Sequence, residues 1–276
     1  MCSAGTGDEA RSHNRSSRTM NKEQAERLIR ELDSNARVVD VGGGAMPFPR
    51  ADYVIDALPY DKRASLGELD VSYKPRFTQD TWCQVDLCER RPWPFPDKFF
   101  DFATCSHLLE DIRDPIWVCS ELCRVAKAGY IEVPSRIVEQ SLGVEHPNYA
   151  GYYHHRWLVD ATPEGLIFRH KPHMLHVIRD SIVASLGVSR LLNPKHSILT
   201  FEWSGGFRYV EKLEFDEDAM IEELCAFAFQ ARGLPDLTIS NGYSLAKRAK
   251  RLVHFRRLRT GGNGRAARSK TRDSAG

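Results

Sequence analysis

A short apolar run ending in three consecutive glycines restricts the fold of this chain more than any other feature. Arg37–Val41 reads as a buried strand, and Asp40-Val-Gly-Gly-Gly44 turns it sharply. Glycines at the carboxyl end of a strand permit unusual dihedrals and let a ligand approach the backbone closely, as nucleotide-binding α/β folds require. A second strand, Tyr53–Ile55, ends at Asp56, where a carboxylate can accept both hydroxyls of a ribose. A third, Trp82–Leu87, carries Asp86, an acceptor suited to an adenine amino group.

The rest of the first half continues this alternation. Phe99–Cys105 reads as a fourth strand, and Asp114-Pro115 as the cap and first turn of a helix running to about Ala126. Gly129 is expected to break that helix, before a fifth strand at Tyr130–Val133. Strands and helices in this order predict an α/β fold with a mostly parallel sheet and helices on both faces. The second half has antiparallel character. Hairpins are expected at Trp157–Arg169 and Ile198–Leu213, and helices at Met174–Leu186 and Asp216–Arg232, this half completing the sheet with antiparallel strands and adding a cap over the acceptor. Lys22–Leu32 has helical spacing, whereas Ala45–Arg50, with Pro47 and Pro49, reads as an extended loop. The expected organisation is a disordered segment 1–20, one domain over 21–246 (cofactor half 36–135, acceptor half 136–246) and a basic tail 247–276.

In that first half, Phe95-Pro-Asp-Lys-Phe-Phe-Asp-Phe-Ala-Thr-Cys-Ser-His-Leu-Leu-Glu-Asp-Ile-Arg-Asp-Pro115 resembles the central block of the type 11 class I methyltransferases. Glu121-Leu-Cys-Arg-Val125 and Gly129-Tyr-Ile-Glu-Val-Pro-Ser135 resemble the segments that follow it. The resemblance implies a Rossmann-like class I fold and S-adenosyl-L-methionine as cofactor. Asp40, Gly42, Gly43 and Gly44 would hold its methionine part, Asp56 its ribose, and Asp86 and Leu87 would flank the adenine. Ser106 and His107 would face the sulfonium and the acceptor. Two departures stand out: Met46 replaces the usual third glycine, and Asp111 stands where the family often has a histidine.

The acceptor is expected beside His146-Pro-Asn-Tyr-Ala-Gly-Tyr-Tyr-His-His-Arg-Trp157, a polar and aromatic cluster that follows the fifth strand. The candidate bases for removing a proton from a small-molecule or glycan acceptor are His107, Glu132, His146, His154 and His155, with His107, His154 and His155 taken as catalytic. A metal site drawn from Glu132, Glu145, His146 and His154 is the weaker alternative, because adjacent histidines lack a helical ligand spacing. No metal is expected. His170, His173 and His176 read as a solvated face.

Net charge is +2, but residues 247–276 hold eleven Lys/Arg and one acid, so the remainder is negative. Such a tail suits nucleic acid or anionic lipid, though no interleaved aromatics support base stacking. An RNA methyltransferase recruited by the tail is therefore a competing reading, as is a non-catalytic scaffold that retained the fold. A nicotinamide oxidoreductase would leave the Phe95–Pro115 block without a role. Seven cysteines, an odd number, sit largely in apolar patterns and predict reduced thiols. With no membrane-length apolar run and no secretory signal, a soluble cytoplasmic protein is expected.

Overall fold

The computed structural model describes residues 20–66, 74–186, 190–234, 237 and 239–241. The basic tail, and the N-terminal segment before Met20, lie outside the described residues. In chain order the elements are α1 (Lys22–Glu31), β1 (Val38–Val41), β2 (Tyr53–Asp56), β3 (Trp82–Gln84), β4 (Phe100–Ser106), α2 (Pro115–Val125), β5 (Ala126–Pro134) and α3 (Arg136–Glu139). Then follow β6 (Trp157–Thr162), β7 (Gly165–His170), β8 (Arg190–Leu192), α4 (Pro194–Ser197), β9 (Ile198–Ser204), β10 (Arg208–Lys212), α5 (Glu217–Arg232) and β11 (Ile239–Asn241).

The central sheet has the order β3-β2-β1-β4-β5-β9, parallel except for β9, which runs antiparallel to β5. This is the mostly parallel, Rossmann-like α/β architecture expected. The inner strand β1 is buried on both faces, which is why it reads Val-Val-Asp-Val without polar alternation. Val38, Val54 and Tyr130 point to the face covered by Leu28 of α1. Val39, Val41, Ile131 and Val133 point to the other, against Val118, Cys119 and Leu122 of α2 and Trp157 and Phe168 of the β6–β7 hairpin. That second face is thus covered by a helix together with a small sheet of order β10-β7-β6.

The helix α2 begins as its sequence predicts, Asp114 accepting from the Trp117 N–H with Pro115 in the first turn. Its end falls where expected, near Ala126, but the expected cause does not hold. The helix stops at Val125 and the chain enters β5 at once, so Gly129 is a strand residue and not a breaker. A Cβ at Gly129 would lie 2.6 Å from the Ala103 carbonyl oxygen and 2.7 Å from the Trp203 indole, so the glycine makes room for the ring on the neighbouring strand. Gly129→Ala is expected to cost about 1–3 kcal/mol by overpacking. A lower urea midpoint at unchanged slope would register it; an unmoved midpoint would mean that the indole shifts freely.

Three other expectations are corrected. The segments 198–204 and 207–213 do not form a hairpin: β9 joins the central sheet, while β10 pairs in parallel with β7. The turn at Gly205 and Gly206, both with positive φ, carries the chain from one sheet to the other. Met174–Leu186 is not a helix but two 3-10 turns and irregular chain. Its apolar side chains enter different clusters, Leu175 and Ile182 in one, Val183 and Leu186 in two more. Its backbone is held from outside, the Val183 N–H donating to Gln140 O and the Leu186 N–H to Leu142 O. The third strand ends at Gln84, so Asp86 and Leu87 lie in the turn beyond it.

Between β1 and β2 the chain forms the loop its prolines predict, with no helix. Arg50 anchors it: the buried guanidinium pairs with Asp52 at 2.9 Å and donates to the carbonyls of Asp33, Ser34 and Ala36 just past α1. No helix among the described residues is long and apolar enough to cross a membrane.

Candidate active site

A small cleft forms at the carboxyl ends of β1 and β4, lined by Met20, Asp40, Gly43, Met46, Phe48 and Ser106. Asp40 organises the loop beneath it. One carboxylate oxygen accepts from the Thr104 hydroxyl at 2.5 Å, and the other from the Phe48 N–H at 2.9 Å. Burial pushes the Asp40 carboxyl up to about 6, the two hydrogen bonds opposing and the nearby Asp56 reinforcing the shift. The glycines adopt the left-handed conformations expected, with φ of +75° at Gly42 and +55° at Gly44. A Cβ at Gly43 would collide with the Asp40 carboxylate.

Asp56 closes the turn from the next strand. Its carboxylate accepts from the Gly44 N–H at 2.9 Å and from the Leu58 N–H at 2.8 Å. The third glycine and the acidic residue at the end of the next strand are therefore one unit. Asp86 is exposed and accepts from the Cys88 N–H, whereas Leu87 is buried in the central core beside Val39 and Val41. Ser106 reaches the cleft, and its buried hydroxyl has no hydrogen-bond partner among the described residues.

His107 follows with φ of +52°, a conformation uncommon outside glycine that turns its ring inward from the end of β4. Its backbone N–H donates to the Glu132 carbonyl, and its Nε2 lies 3.1 Å from the Glu132 carboxylate. Fully buried Glu132 also accepts from the Tyr130 hydroxyl at 2.5 Å and from the Asn21 N–H at 2.8 Å. The start of α1 is thereby tied to the histidine, next to Met20 in the cleft wall. Burial, followed by the charge of Glu132, pushes the Tyr130 hydroxyl far up, so it stays a donor.

The two adjacent histidines of the acceptor segment keep their rings in contact, with centroids 4.4 Å apart, but take different polar partners. His154 faces outward, its Nδ1 3.5 Å from Glu145 and its ring against Tyr152 and Tyr153. His155 is buried, with Nδ1 2.8 Å from Glu139, whose other oxygen lies 2.5 Å from the Lys171 ammonium. Lys171 is satisfied by the carbonyls of Ala150 and Tyr152 as well. Between His107 and His155 stands Glu110, its Oε1 3.8 Å from one ring and 3.9 Å from the other. His107 and His155 are thus brought to one carboxyl, and His154 is not.

Sequence reasoning assigned no role to Glu110, Glu139, Lys171 or Thr104. Acidic residues inside the apolar runs Leu108-Leu-Glu110 and Ile137-Val-Glu139 were the available signal, since burying a carboxylate demands partners. Glu132 and Glu145 do not meet: one faces His107, the other His154. Among the described residues no three His, Cys, Asp or Glu side chains are grouped to hold a metal ion. Nor are the three spaced histidines one solvated face, because His176 accepts from the Ala150 N–H and is part-buried.

Residues 67–131 match a family model described as a methyltransferase domain. This segment holds the block from Phe95 to Pro115 and begins after the glycine turn. No curated protein matches the chain. Among solved structures, a putative methyltransferase of Haloferax volcanii, in complex with the Trm112 methyltransferase activator, is 17% identical over 46% of this chain and 57% of its own, with a TM-score of 0.33. A SAM-dependent methyltransferase of Aquifex aeolicus is 20% identical over 46% and 73%, at 0.29. A phosphoethanolamine N-methyltransferase of Haemonchus contortus, in complex with S-adenosyl-L-methionine, is 18% identical over 42% and 29%, at 0.32. The chain spans a little over half the length of the Haloferax structure it matches.

Proposed function

We propose that this protein is an S-adenosyl-L-methionine-dependent methyltransferase acting on a small-molecule or glycan acceptor. The observation that carries the proposal is the convergence of Asp40, Gly43 and the unpartnered Ser106 hydroxyl on one cleft, with Asp56 bonded to the glycine turn. A buried hydroxyl without a partner costs free energy unless a ligand satisfies it. The cleft is smaller than the roughly 300–1,000 Å³ usual for such ligands. Two flexible methionine side chains, Met20 and Met46, line it and give it room to open.

The cofactor supplies an electrophilic methyl group on a positively charged sulfur. Asp40 and Ser106 stand at the methionine end, and Gly42–Gly44 offer backbone for close approach. Asp56 keeps acceptor capacity for ribose hydroxyls, since each carboxylate oxygen takes more than one hydrogen bond. His107 follows the cleft residue Ser106 directly in the chain and is the candidate base on that side, and His154 with Tyr153 forms the outer lip for the acceptor. A cytoplasmic location accords with the free thiols of the described cysteines.

Titration calorimetry tests the cofactor. Saturable heat with S-adenosyl-L-methionine is expected, and Asp56→Ala should weaken binding tenfold or more, about 1.4 kcal/mol or above, by losing the ribose acceptor and loosening Gly44. His154→Ala should leave the affinity unchanged. Absence of saturable heat in a folded sample would leave the scaffold reading standing.

A further inference from the structure

Resting on the methyltransferase reading, we propose that Asp40, Asp56 and Glu132 select the cofactor by charge, so that the cleft holds S-adenosyl-L-methionine and releases its neutral product, S-adenosylhomocysteine. The three carboxylates stand on one face of the central sheet. Val38, Val54 and Tyr130 point to the face covered by Leu28 of α1. Asp40, Asp56 and Glu132 each follow one of these by two residues, so strand alternation puts them on the same face, at the carboxyl ends of β1, β2 and β5. Thr104 and Ser106 of β4 fill the row between them, Thr104 in register with Asp40 and Tyr130, and Ser106 with Glu132. Asp40 and Ser106 line the cleft itself. Glu132 stands behind its wall, bonded to the N–H of Asn21 next to Met20.

Elsewhere in the molecule buried charges are paired. Arg50 meets Asp52, Glu121 meets Arg124, Arg136 meets Glu223 and Glu139 meets Lys171. Asp40, Asp56 and Glu132 are buried too, yet among the described residues none of them forms an ion pair with Lys or Arg. Arg27 of α1, close enough to act on Tyr130, is committed to Glu31 and Glu202. Glu110 also has no Lys or Arg partner, but burial raises its carboxyl well above the ordinary range, so it stands as a neutral acid. Asp40, raised by burial to about 6, is ionised above that pH. Buried negative charge without a counter-ion is costly. A single positive charge on a ligand relieves all three carboxylates together, because charges act over longer distances where water is excluded.

The balance of the reaction turns this into selection. Methyl transfer forms a bond from the acceptor atom to carbon and breaks the carbon–sulfur bond, with sulfur keeping the electron pair. The positive charge passes from sulfur to the acceptor and leaves with the acceptor's proton. The product therefore has the cofactor's shape less one methyl group, and no charge on sulfur. The bare carboxylates lose their counter-charge at that moment, so the spent cofactor is held less tightly than the fresh one. Weak inhibition by the product follows.

Titration calorimetry with both ligands tests this without knowledge of the acceptor. It is run at about pH 8, above the ordinary range of a histidine ring, so that it reads carboxylate charge and not an imidazolium beside Glu132. The full-length protein should bind S-adenosyl-L-methionine about tenfold or more tighter than S-adenosylhomocysteine. Glu132→Gln and Asp40→Asn keep side-chain size and an acceptor oxygen while removing charge. Each should narrow the ratio by about threefold or more, through weaker binding of the charged ligand alone. A structural role would weaken both ligands by one factor and leave the ratio where it was. Equal or tighter binding of S-adenosylhomocysteine by the unsubstituted protein, or a ratio unmoved in both variants, would overturn charge selection and leave the methyltransferase reading standing. No saturable heat with either ligand in a folded sample would sink that reading, and charge selection with it.

Discussion

Glu139→Ala should destabilise the protein by about 3–5 kcal/mol, the cost of leaving a buried charge without its counter-ion. Lys171 is 5% exposed and Glu139 1%, so water cannot replace the lost carboxylate. Two carbonyls would remain on the ammonium, and His155 would lose the acceptor of its Nδ1–H. Burial alone would raise Glu139, but Lys171 and His155 together outweigh it and hold the carboxyl below its ordinary value. The sign of the pH dependence follows. The stabilisation is complete above the unfolded carboxyl's pKa and disappears as pH falls through the lower folded value. Urea unfolding at pH 7 and across the acid range measures both effects. Replacing the pair by Leu and Met should cost much less than the sum of the single changes. A Glu139→Ala loss below about 1 kcal/mol would mean the site admits water.

Asp40→Asn should have the opposite effect on stability and a damaging one on cofactor binding. With the folded carboxyl near 6 and the unfolded one near 3.8, the fold favours the neutral acid. Stability is therefore full below the unfolded pKa and falls as pH rises through about 6, by on the order of 3 kcal/mol. Asparagine keeps an acceptor for the Phe48 N–H and has no charge to bury. Its stability should be flat across that window and above the parent's at pH 7. Cofactor affinity should drop, because the negative charge beside the cleft is gone. This is a group kept at a cost to stability for the sake of function. Parallel stability curves for the two proteins would refute the account.

The parts of the molecule legible in the sequence are those that local chemistry dictates. The central strands announced themselves as short, largely apolar runs, the start of α2 through Asp114-Pro115, and the helix-free loop through Pro47 and Pro49. The glycine turn and Asp56 were each visible, but not the hydrogen bond from Gly44 to Asp56, which depends on strand register. The parallel pairing of β10 with β7 was hidden, since the short Gly205–Gly206 connection favours a hairpin locally. Tertiary hydrogen bonds from Gln140 and Leu142 displaced the helix that Met174–Leu186 suggested. The chain of Glu132, His107, Glu110, His155, Glu139 and Lys171 was least legible, because its members come from separate elements and meet only in the core.

The place of β9 has a consequence for how the protein is made. Gly129 on β5 finds its partner Trp203 only after the whole hairpin and the segment behind it have been synthesised. Chains grow at about 5–20 residues per second, so a nascent β5 spends seconds with one row of backbone donors and acceptors unpaired. During that interval the half-built sheet presents an open, apolar edge of the kind that invites association between chains. Biogenesis of this protein thus hinges on guarding one strand until a distant one arrives.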